Sequence, residues 1–193
     1  MNSVRFAGIA DAEPAPGVIE AIKSASAIVI APSNPVTSIG PILGVPGILA
    51  ALRKTRAPIL GISPIIAAAA VSGPAGILMA ANGLPVSIAG VAQAYQDFLK
   101  ILVVDTRDAK AAKQLQRSGL VVHSTNTLMR TKDEKVELAR TVLSFLGASA
   151  AHAAEPSLSL SRSRTSPTPS SASPHCSTPR LGRNSRKLCY STF

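Results

Sequence analysis

Aromatic and cysteine residues are scarce in this 193-residue chain, which has no Trp, two Tyr and four Phe. Its core must therefore be built from Ala, Val, Ile and Leu. The two cysteines, Cys176 and Cys189, both lie near the carboxyl terminus, so the rest of the chain holds no disulfide and needs no oxidising compartment. No apolar signal-peptide run follows the first six residues. We expect a cytoplasmic protein.

Charge is missing from two long apolar stretches, 24–52 and 57–96. Each is long enough to cross a bilayer, but each contains four prolines, so neither holds a window of about 20 residues that could form one continuous helix. Buried strands of a parallel sheet are also nearly continuous apolar runs. The two stretches therefore predict the interior of a soluble α/β protein and not membrane spans.

A basic segment without apolar periodicity follows residue 147. The net charge of the chain is +10, and about half of it lies in residues 151–193, which carry six Lys or Arg and one Glu. Ser, Thr and Pro make up 17 of the 26 residues from 155 to 180, a composition that cannot bury enough surface to fold. We predict a disordered tail at 148–193, either a genuine flexible tail or the translation of a shifted reading frame. Its spaced cations lack interleaved aromatics, which argues against specific nucleic-acid binding.

Helical and strand patterns alternate along residues 16–147. Strands are predicted at 27–31, 58–62, 100–105 and 120–123. Helices are predicted at 16–24, 46–56, 74–82, 89–98, 108–117 and 132–146, the last ending at Gly147. Strands that alternate with helices of ten to fifteen residues are typical of a parallel α/β sheet with flanking helices.

The most informative segment is 27–40, where a strand that looks central to the sheet leads into an uncharged, proline-stiffened loop, 32–40. Open parallel sheets bind ligands at the carboxyl ends of their strands. The loop offers four polar side chains, those of Ser33, Asn34, Thr37 and Ser38. Such groups suit the neutral edges of a base or sugar, or phosphate oxygens held by backbone N–H groups. The alternative is a helix-capping or crossover turn, since turns use the same residues.

A second polar turn, Ser63-Pro64, follows the next strand and leads to the sequence SGPAG at 72–76. Glycines at the start of a helix allow a phosphate to approach the exposed N–H groups, where the helix dipole favours negative charge. Alone, this segment is weak evidence for a phosphate site. The polar loop after the preceding strand strengthens that evidence.

Catalytic side chains are hard to find in the sequence. Asp105 and Asp108 end a strand and could hold Mg²⁺, but a helix N-cap at Asp108 and a salt bridge to Arg107 or Lys110 are favoured. His123 is a lone histidine, which we interpret as structural. The segment 125–127 (TNT) resembles the other polar strand ends, and Arg130 after it either reaches a phosphate or is a solvated surface residue. The sequence has no Walker loop, zinc spacing or Ser-His-Asp arrangement, so no residue is assigned as catalytic.

These motifs resemble those of the 2-phospho-L-lactate transferase family, which acts in the biosynthesis of the deazaflavin coenzyme F-420. The resemblance covers about residues 4–147. It rests on the segments 31–43 (APSNPVTSIGPIL), 45–47 (VPG), 63–66 (SPII), 70–75 (AVSGPA), 96–98 (QDF) and 127–130 (TLMR).

The resemblance implies a Rossmann-like transferase, homodimeric in its full-length form, that uses Mg²⁺. It would transfer a phospholactyl or phosphoenolpyruvyl group from a guanosine-diphosphate-linked donor to the deazaflavin 7,8-didemethyl-8-hydroxy-5-deazariboflavin, releasing GMP. By match to the family motifs, the nucleotide side would be lined by Ser33, Asn34, Ser38 and Gly40, with Ser63, Ser72 and Gly73 nearby.

Two departures from the family pattern matter. Family members begin with a glycine-rich strand and loop and carry, in their first half, the aspartates and lysine that serve Mg²⁺ and the deazaflavin; nothing before Val4 corresponds to that region. The family also usually has Gly-Gly-Lys or Gly-Gly-Arg after SPII, where this chain has Ala67-Ala68-Ala69. We therefore predict that residues 1–147 form a partial transferase domain, the carboxyl-terminal half, that does not turn over alone. A non-catalytic nucleotide-binding or partner-docking domain is the alternative.

Overall fold

A four-stranded parallel sheet forms the centre of the structure, a computed structural model that describes the backbone of residues 4–152 and the side chains of residues 4–147. The strands are β1 (Ile28–Ile30), β2 (Ile59–Ile62), β5 (Ile101–Asp105) and β6 (Val121–Thr125). They lie in the order β1-β2-β5-β6, and every neighbouring pair is parallel. All four predicted strands are present, and the predicted α/β class is confirmed.

Seven α-helices lie within the described residues. They are α1 (Val18–Ser24), α2 (Gly40–Gly44), α3 (Ile48–Lys54), α4 (Ala75–Ala81), α5 (Ile88–Ala94), α6 (Ala109–Arg117) and α7 (Lys132–His152). Between β2 and α4, the short strands β3 (Ile65–Ile66) and β4 (Ala69–Ala70) form an antiparallel hairpin.

Several predicted helix boundaries differ from the structure, and three of them have a clear physical reason or consequence. The helix placed at Pro46 begins at Ile48, because Gly47 adopts a left-handed φ of 90° and forms the N-cap. The helix predicted to reach residue 98 ends at Ala94. The last helix does not end at Gly147 but continues to His152, since a glycine inside a helix costs only about 1 kcal/mol and does not by itself terminate it.

The sheet buries a different set of side chains on each face. On one face, Ile59, Leu102 and Val104 pack beneath helices α3 to α6 in the larger core cluster. On the other face, Leu60, Ile62, Ile101 and Val103 pack against α7 through Leu138, Val142 and Leu146. Every residue of β2 and β5 is buried, as expected for the centre of a parallel sheet.

Strand β1 is an edge strand, not the central strand that its sequence indicated. Among residues 4–152 it pairs with β2 alone, and Ile28, Val29 and Ile30 are each half-buried. An Ile-Val-Ile run is equally compatible with a central strand and with an uncovered edge, so composition could not distinguish the two.

No single helix within residues 4–152 is long and apolar enough to cross a membrane. One bent pair, Pro35–Gly44 with Ile48–Lys54, passes the same test by length and composition, with an angle of 88° between its halves. The predicted cytoplasmic location stays a prediction. The predicted tail, with both cysteines and its basic residues, lies outside the described residues apart from the α7 backbone at 148–152.

The hydroxyl of Tyr95 is a polar group in an apolar core. Tyr95 is 1% exposed, its ring centroid lies 5.8 Å from that of Phe98, and burial raises the pKa of its phenol. Within the described residues the hydroxyl has no hydrogen-bond partner. A buried donor without a partner is costly, because the hydroxyl loses its hydrogen bonds to water and gains none in return.

Tyr95→Phe should therefore raise the free energy of unfolding by about 1 kcal/mol, because it removes the unpaired hydroxyl and keeps the ring. Urea unfolding monitored by circular dichroism measures the change. Tyr95→Leu is the control: it removes the ring as well and should lower stability by about 1–2 kcal/mol. A loss of stability in Tyr95→Phe would show that the hydroxyl has a partner in solution.

Candidate functional site

Polar residues collect at the edge of the sheet where the strands end. Because all four strands are parallel, their carboxyl ends lie at one edge, the usual ligand edge of an open α/β sheet. Asn34 follows β1, Ser63 follows β2, Asp105 ends β5 and Thr127 follows β6. We call this the carboxyl edge of the sheet.

Asn34 begins a helical turn and does not sit in an extended loop. Its Oδ1 accepts hydrogen bonds from the N–H groups of Val36 and Thr37, at 2.9 and 3.3 Å. Its own carbonyl accepts from the N–H groups of Ser38 and Ile39, and residues Pro35–Ile39 form a π-helical turn that leads into α2. The predicted rigid loop over 32–40 is thus wrong beyond Asn34, and the capping alternative accounts for the Asn34 oxygen.

The π-helical turn still favours a functional role for this segment. Such turns are rare in proteins, and those that occur often lie at functional sites. Ser33 is half-buried and Ser38 is exposed. At Gly40 a Cβ would lie 3.2 Å from the Pro35 carbonyl oxygen and 3.5 Å from the ring of Phe6. The close backbone contact therefore explains this glycine without a ligand.

The second motif lies against the first. Helix α4 packs on the π-helical turn Pro35–Ile39, which brings the segment 72–76 to the same region. Ser72 and Gly73 are exposed, and Gly73 adopts a φ of 65°, a conformation that favours glycine. Both residues lie at the surface just before α4, and their predicted contact with a nucleotide stays a prediction.

Ser63 is used within its own turn. It is 1% exposed, and its Oγ donates to the carbonyl of Ile65 at 2.9 Å and accepts from the Ile65 N–H at 3.1 Å. Its N–H donates to the carbonyl of Val103 in β5. The hydroxyl shapes the turn, and its predicted contact with a nucleotide stays a prediction.

A tight turn between β3 and β4 has no counterpart among the predicted elements. Ala67 and Ala68 adopt φ values of 49° and 60°, the left-handed conformation that two-residue hairpin turns require and that usually selects Asn or Gly. Four consecutive alanines carry no turn signal. The Ala67 N–H donates to both carboxylate oxygens of Asp108, at 3.0 and 3.2 Å, which ties the hairpin to the end of β5.

Asp105 is the centre of a buried hydrogen-bond network. It is 1% exposed and accepts from the N–H and Nε of Arg107, at 3.0 and 2.7 Å, and from Nη2 at 3.3 Å. Its Oδ2 also accepts from the N–H and hydroxyl of Thr127, at 3.1 and 3.3 Å. Burial raises the pKa of Asp105, but the hydrogen bonds from Arg107 and Thr127 outweigh it and lower the pKa to about 2.

The predicted side-chain cap by Asp108 is wrong, whereas the predicted salt bridge to Arg107 is present and is formed by Asp105. Asp108 stands at the N-cap of α6 but its side chain makes no capping hydrogen bond; Asp105 instead caps the 3-10 turn Thr106–Asp108 through the Arg107 N–H. The ion pair of Arg107 is with Asp105. Spacing alone could not distinguish two acidic residues three positions apart.

Both aspartates already accept hydrogen bonds from protein donors. Both Asp105 oxygens accept hydrogen bonds from protein donors and face a guanidinium, and Asp108 accepts from Ala67. Within the part of the chain that the structure describes, no group of three or more His, Cys, Asp or Glu could hold a metal ion. The Mg²⁺ that the family resemblance implies stays a prediction.

His123 has a packing role, as predicted. Its ring stacks on Phe145 of α7, with 4.1 Å between centroids and 7° between planes, and burial lowers its pKa. The contact helps to attach α7 to β6 at the edge of the sheet.

Arg130 is exposed and precedes a helix-capping motif that was not predicted. The Thr131 hydroxyl accepts from the Glu134 N–H, and the Glu134 carboxylate accepts from the N–H groups of Arg130 and Thr131. A threonine followed three residues later by glutamate is a recognised signal for a helix start, so the first turn of α7 could have been found from the sequence. The predicted contact of Arg130 with a phosphate stays a prediction.

Comparison with known proteins identifies the family. The family described as 2-phospho-L-lactate transferase CofD matches residues 1–143. The 2-phospho-L-lactate transferases of Methanococcoides burtonii, Methanocaldococcus jannaschii and Methanosarcina mazei are 44%, 43% and 43% identical to this chain. A solved UPF0052-family protein from Bacillus halodurans has a TM-score of 0.44 at 22% identity, over 67% of this chain and 47% of its own.

The matches cover most of this chain and less than half of each relative. The three transferases align with 74%, 70% and 74% of the chain, which corresponds to 46%, 42% and 46% of their own lengths. The chain thus spans about half the length of the curated relatives it matches. It belongs to the 2-phospho-L-lactate transferase CofD family.

Proposed function

We propose that this chain is the part of a phospholactyl or phosphoenolpyruvyl transferase that holds the nucleotide end of the donor. The donor would be a guanosine-diphosphate-linked three-carbon acid, the acceptor the deazaflavin of coenzyme F-420 biosynthesis, and the leaving group GMP. The observation that carries the proposal is the family match over residues 1–143. The polar carboxyl edge of the sheet supports it, since this edge is where such sheets bind nucleotides.

Six of the seven predicted site residues can be given a direct or an indirect role in binding a ligand. Asn34 uses Oδ1 on its own turn, which leaves its Nδ2 group as a donor to a base or sugar oxygen. Ser38, Ser72 and Gly73 are exposed, and the Ser38 hydroxyl and the N–H groups of Ser72 and Gly73 would supply further donors. Ser63 and Gly40 would act indirectly, because their contacts maintain the two turns.

The transfer chemistry itself requires groups that the described residues do not provide. Phosphoryl chemistry depends on positioning and on neutralising developing negative charge, and Asp105 and Asp108 are committed to protein donors. We propose that this chain binds the guanosine nucleotide but does not turn over alone. The absence of a three-ligand metal group within residues 4–147 is also what a non-catalytic nucleotide-binding or docking domain would show.

Calorimetric titration of the full chain with GDP tests the binding proposal. Ser38→Ala should weaken GDP binding about fivefold to tenfold, because a hydroxyl hydrogen bond contributes about 1 kcal/mol. Ser26→Ala is the matched control: Ser26 is also exposed but precedes β1, at the opposite edge of the sheet, and its replacement should leave the affinity unchanged. No heat and no thermal shift with GDP would indicate a purely structural fragment.

A turnover assay tests the second part of the proposal. The chain, incubated with the guanosine-linked donor, the deazaflavin and Mg²⁺, should release no GMP; clear GMP release would contradict the proposal. Addition of the remaining portion of a relative separates the two functions: GMP release that depends on Mg²⁺ indicates the transferase, and GDP binding without release indicates the non-catalytic domain.

A further inference from the structure

The half of the carboxyl edge that follows β1 and β2 is built from uncharged residues. Segments 24–52 and 57–96 contain no Asp, Glu, Lys or Arg, and they include both motifs that we propose for the nucleotide. The phosphates of a nucleoside diphosphate are anionic, and proteins hold such groups with cations and charge-assisted hydrogen bonds. The proposed function therefore needs a cationic group elsewhere on this edge.

Arg107 is the first basic residue that follows a strand end, counting across the sheet from β1. It lies in the turn Thr106–Asp108, directly after β5. Neighbouring strands are about 4.8 Å apart, so the end of β5 lies about 10 Å from the end of β1, a distance that a nucleoside diphosphate can span. The basic residues between α1 and β5 lie instead at the opposite edge, at the ends of helices α1 and α3 or just before β2 and β5 (Lys23, Arg53, Lys54, Arg56 and Lys100).

A buried carboxylate holds the guanidinium of Arg107 in one orientation. Its Nε and Nη2 donate to the two oxygens of Asp105, at 2.7 and 3.3 Å, and Asp105 also accepts from the N–H of Thr127. These bonds use one edge of a planar group that has five N–H donors. Nη1 and the second N–H of Nη2 form a fork on the other edge, which fits two phosphate oxygens. The Arg107 side chain is 51% exposed, so a ligand can reach it.

The carboxylates near Arg107 favour a tethered phosphate over a free anion. Asp105 pairs with Arg107, and both oxygens of Asp108 accept from the Ala67 N–H. This turn thus has no excess of positive charge, and the directed fork of Arg107 must provide the attraction. A phosphate whose nucleoside is held at β1 would meet this fork more readily than a free ion, because one end of the ligand is already bound.

We infer that Arg107 binds the diphosphate of the nucleotide through the outer edge of its guanidinium. The inference rests on the proposed function, which places the nucleoside at Asn34 and Ser38, and it adds the residue that receives the negative charge. Nucleoside and phosphates would then lie along the carboxyl edge from β1, across the end of β2, to β5.

Calorimetric titration of the full 193-residue chain with GDP and with guanosine tests the inference. Arg107→Gln removes the charge and the fork and should weaken GDP binding about tenfold or more. Guanosine binding should change by less than about twofold, since guanosine has no phosphate. Arg107→Lys keeps the charge without the fork and should recover only part of the GDP affinity.

Two other arginines provide matched controls. Arg117→Gln removes the same charge from the exposed last turn of α6, at the opposite edge, and should change GDP affinity by less than about twofold. Arg5→Gln tests a rival cation, because Arg5 precedes Phe6, whose ring lies beside Gly40. It should also leave GDP affinity within about twofold of the parent value.

Chemical modification of the parent chain tests the same contact without a substitution. This matters because Arg107→Gln leaves the buried Asp105 carboxylate without its cation. Phenylglyoxal reacts with exposed guanidinium groups, and mass spectrometry measures the rate at each arginine. GDP and inorganic pyrophosphate, each near saturation, should slow the modification of Arg107 about threefold or more and leave that of Arg117 unchanged.

Equal GDP affinities of the Arg107→Gln and Arg117→Gln variants, a loss of affinity in Arg5→Gln alone, or no protection of Arg107 by either phosphate ligand would overturn the inference. If guanosine still binds in such a case, the proposed nucleotide site stands without Arg107. Protection of Arg107 by pyrophosphate in a chain that does not bind guanosine would support the inference and contradict the nucleoside part of the proposed function.

Discussion

Asp105→Asn is expected to lower the free energy of unfolding by about 3 kcal/mol at pH 7. The carboxylate is buried and accepts from two donors on the backbone and from the side chains of Arg107 and Thr127. An amide can replace one accepting oxygen but places an NH₂ group against the donors that faced the other. The unpaired donors are then buried without compensation.

The pH dependence of the parent protein provides a second measure of the same network. The pKa of Asp105 in the folded state is about 2, below its ordinary value of 3.8, so the unfolded state binds the proton more readily. The stabilisation is fully present above about pH 4 and is lost as the pH falls towards 2. The difference in stability between parent and Asp105→Asn should therefore shrink over this interval, and urea unfolding at about pH 7, 4 and 2.5 measures it.

Asp97→Asn is the control for Asp105→Asn. Asp97 forms an ion pair with Arg53, but the side chains of both residues are about half exposed, and such surface pairs contribute about 0.2–1 kcal/mol. A loss below about 0.5 kcal/mol is expected. An Asp105→Asn variant as stable as Asp97→Asn would show that the network does not hold the ends of β5 and β6 together.

The strands and most helices were predictable because their signals are local. Apolar runs bounded by Pro, Gly and charge located β2 and β5, and Gly119 ended α6 as expected. The position of β1 at the edge was not predictable, because an edge is a property of what lies beside a strand and not of the strand's own residues. The helical turn at Pro35–Ile39 depends on how the Asn34 side chain is used, which the sequence left open.

The candidate site was also predictable only in part. The sequence located the polar carboxyl edge, since strand ends and polar turns coincide there. It could not identify Asp105 as the centre of a network, because the partner Thr127 is 22 positions away and meets it only when β6 pairs with β5. The hairpin at Ala67 and Ala68 was missed for the opposite reason: the local residues contradict the conformation that the surrounding contacts impose.

Replacement of both turn alanines by glycine is expected to stabilise the protein. Ala67 and Ala68 have left-handed φ values, which cost an L-residue with a Cβ about 1–2 kcal/mol each. Glycine removes this strain but loses about 0.5–1 kcal/mol through the greater entropy of its unfolded chain. The net gain for Ala67→Gly with Ala68→Gly should be about 1–2 kcal/mol, or about 3–6 °C in melting temperature for a chain of this size.

Ala69→Gly is the matched control in the same hairpin. Ala69 is the first residue of β4 and does not have a positive φ, so glycine there brings only the entropic cost and should lower stability by about 0.5–1 kcal/mol. The turn geometry requires that glycine raises the stability at positions 67 and 68 and lowers it at position 69. An equal loss of stability at all three positions would mean that the hairpin adopts another turn in solution. Both turn residues are left-handed, and this turn presents the Ala67 N–H to Asp108.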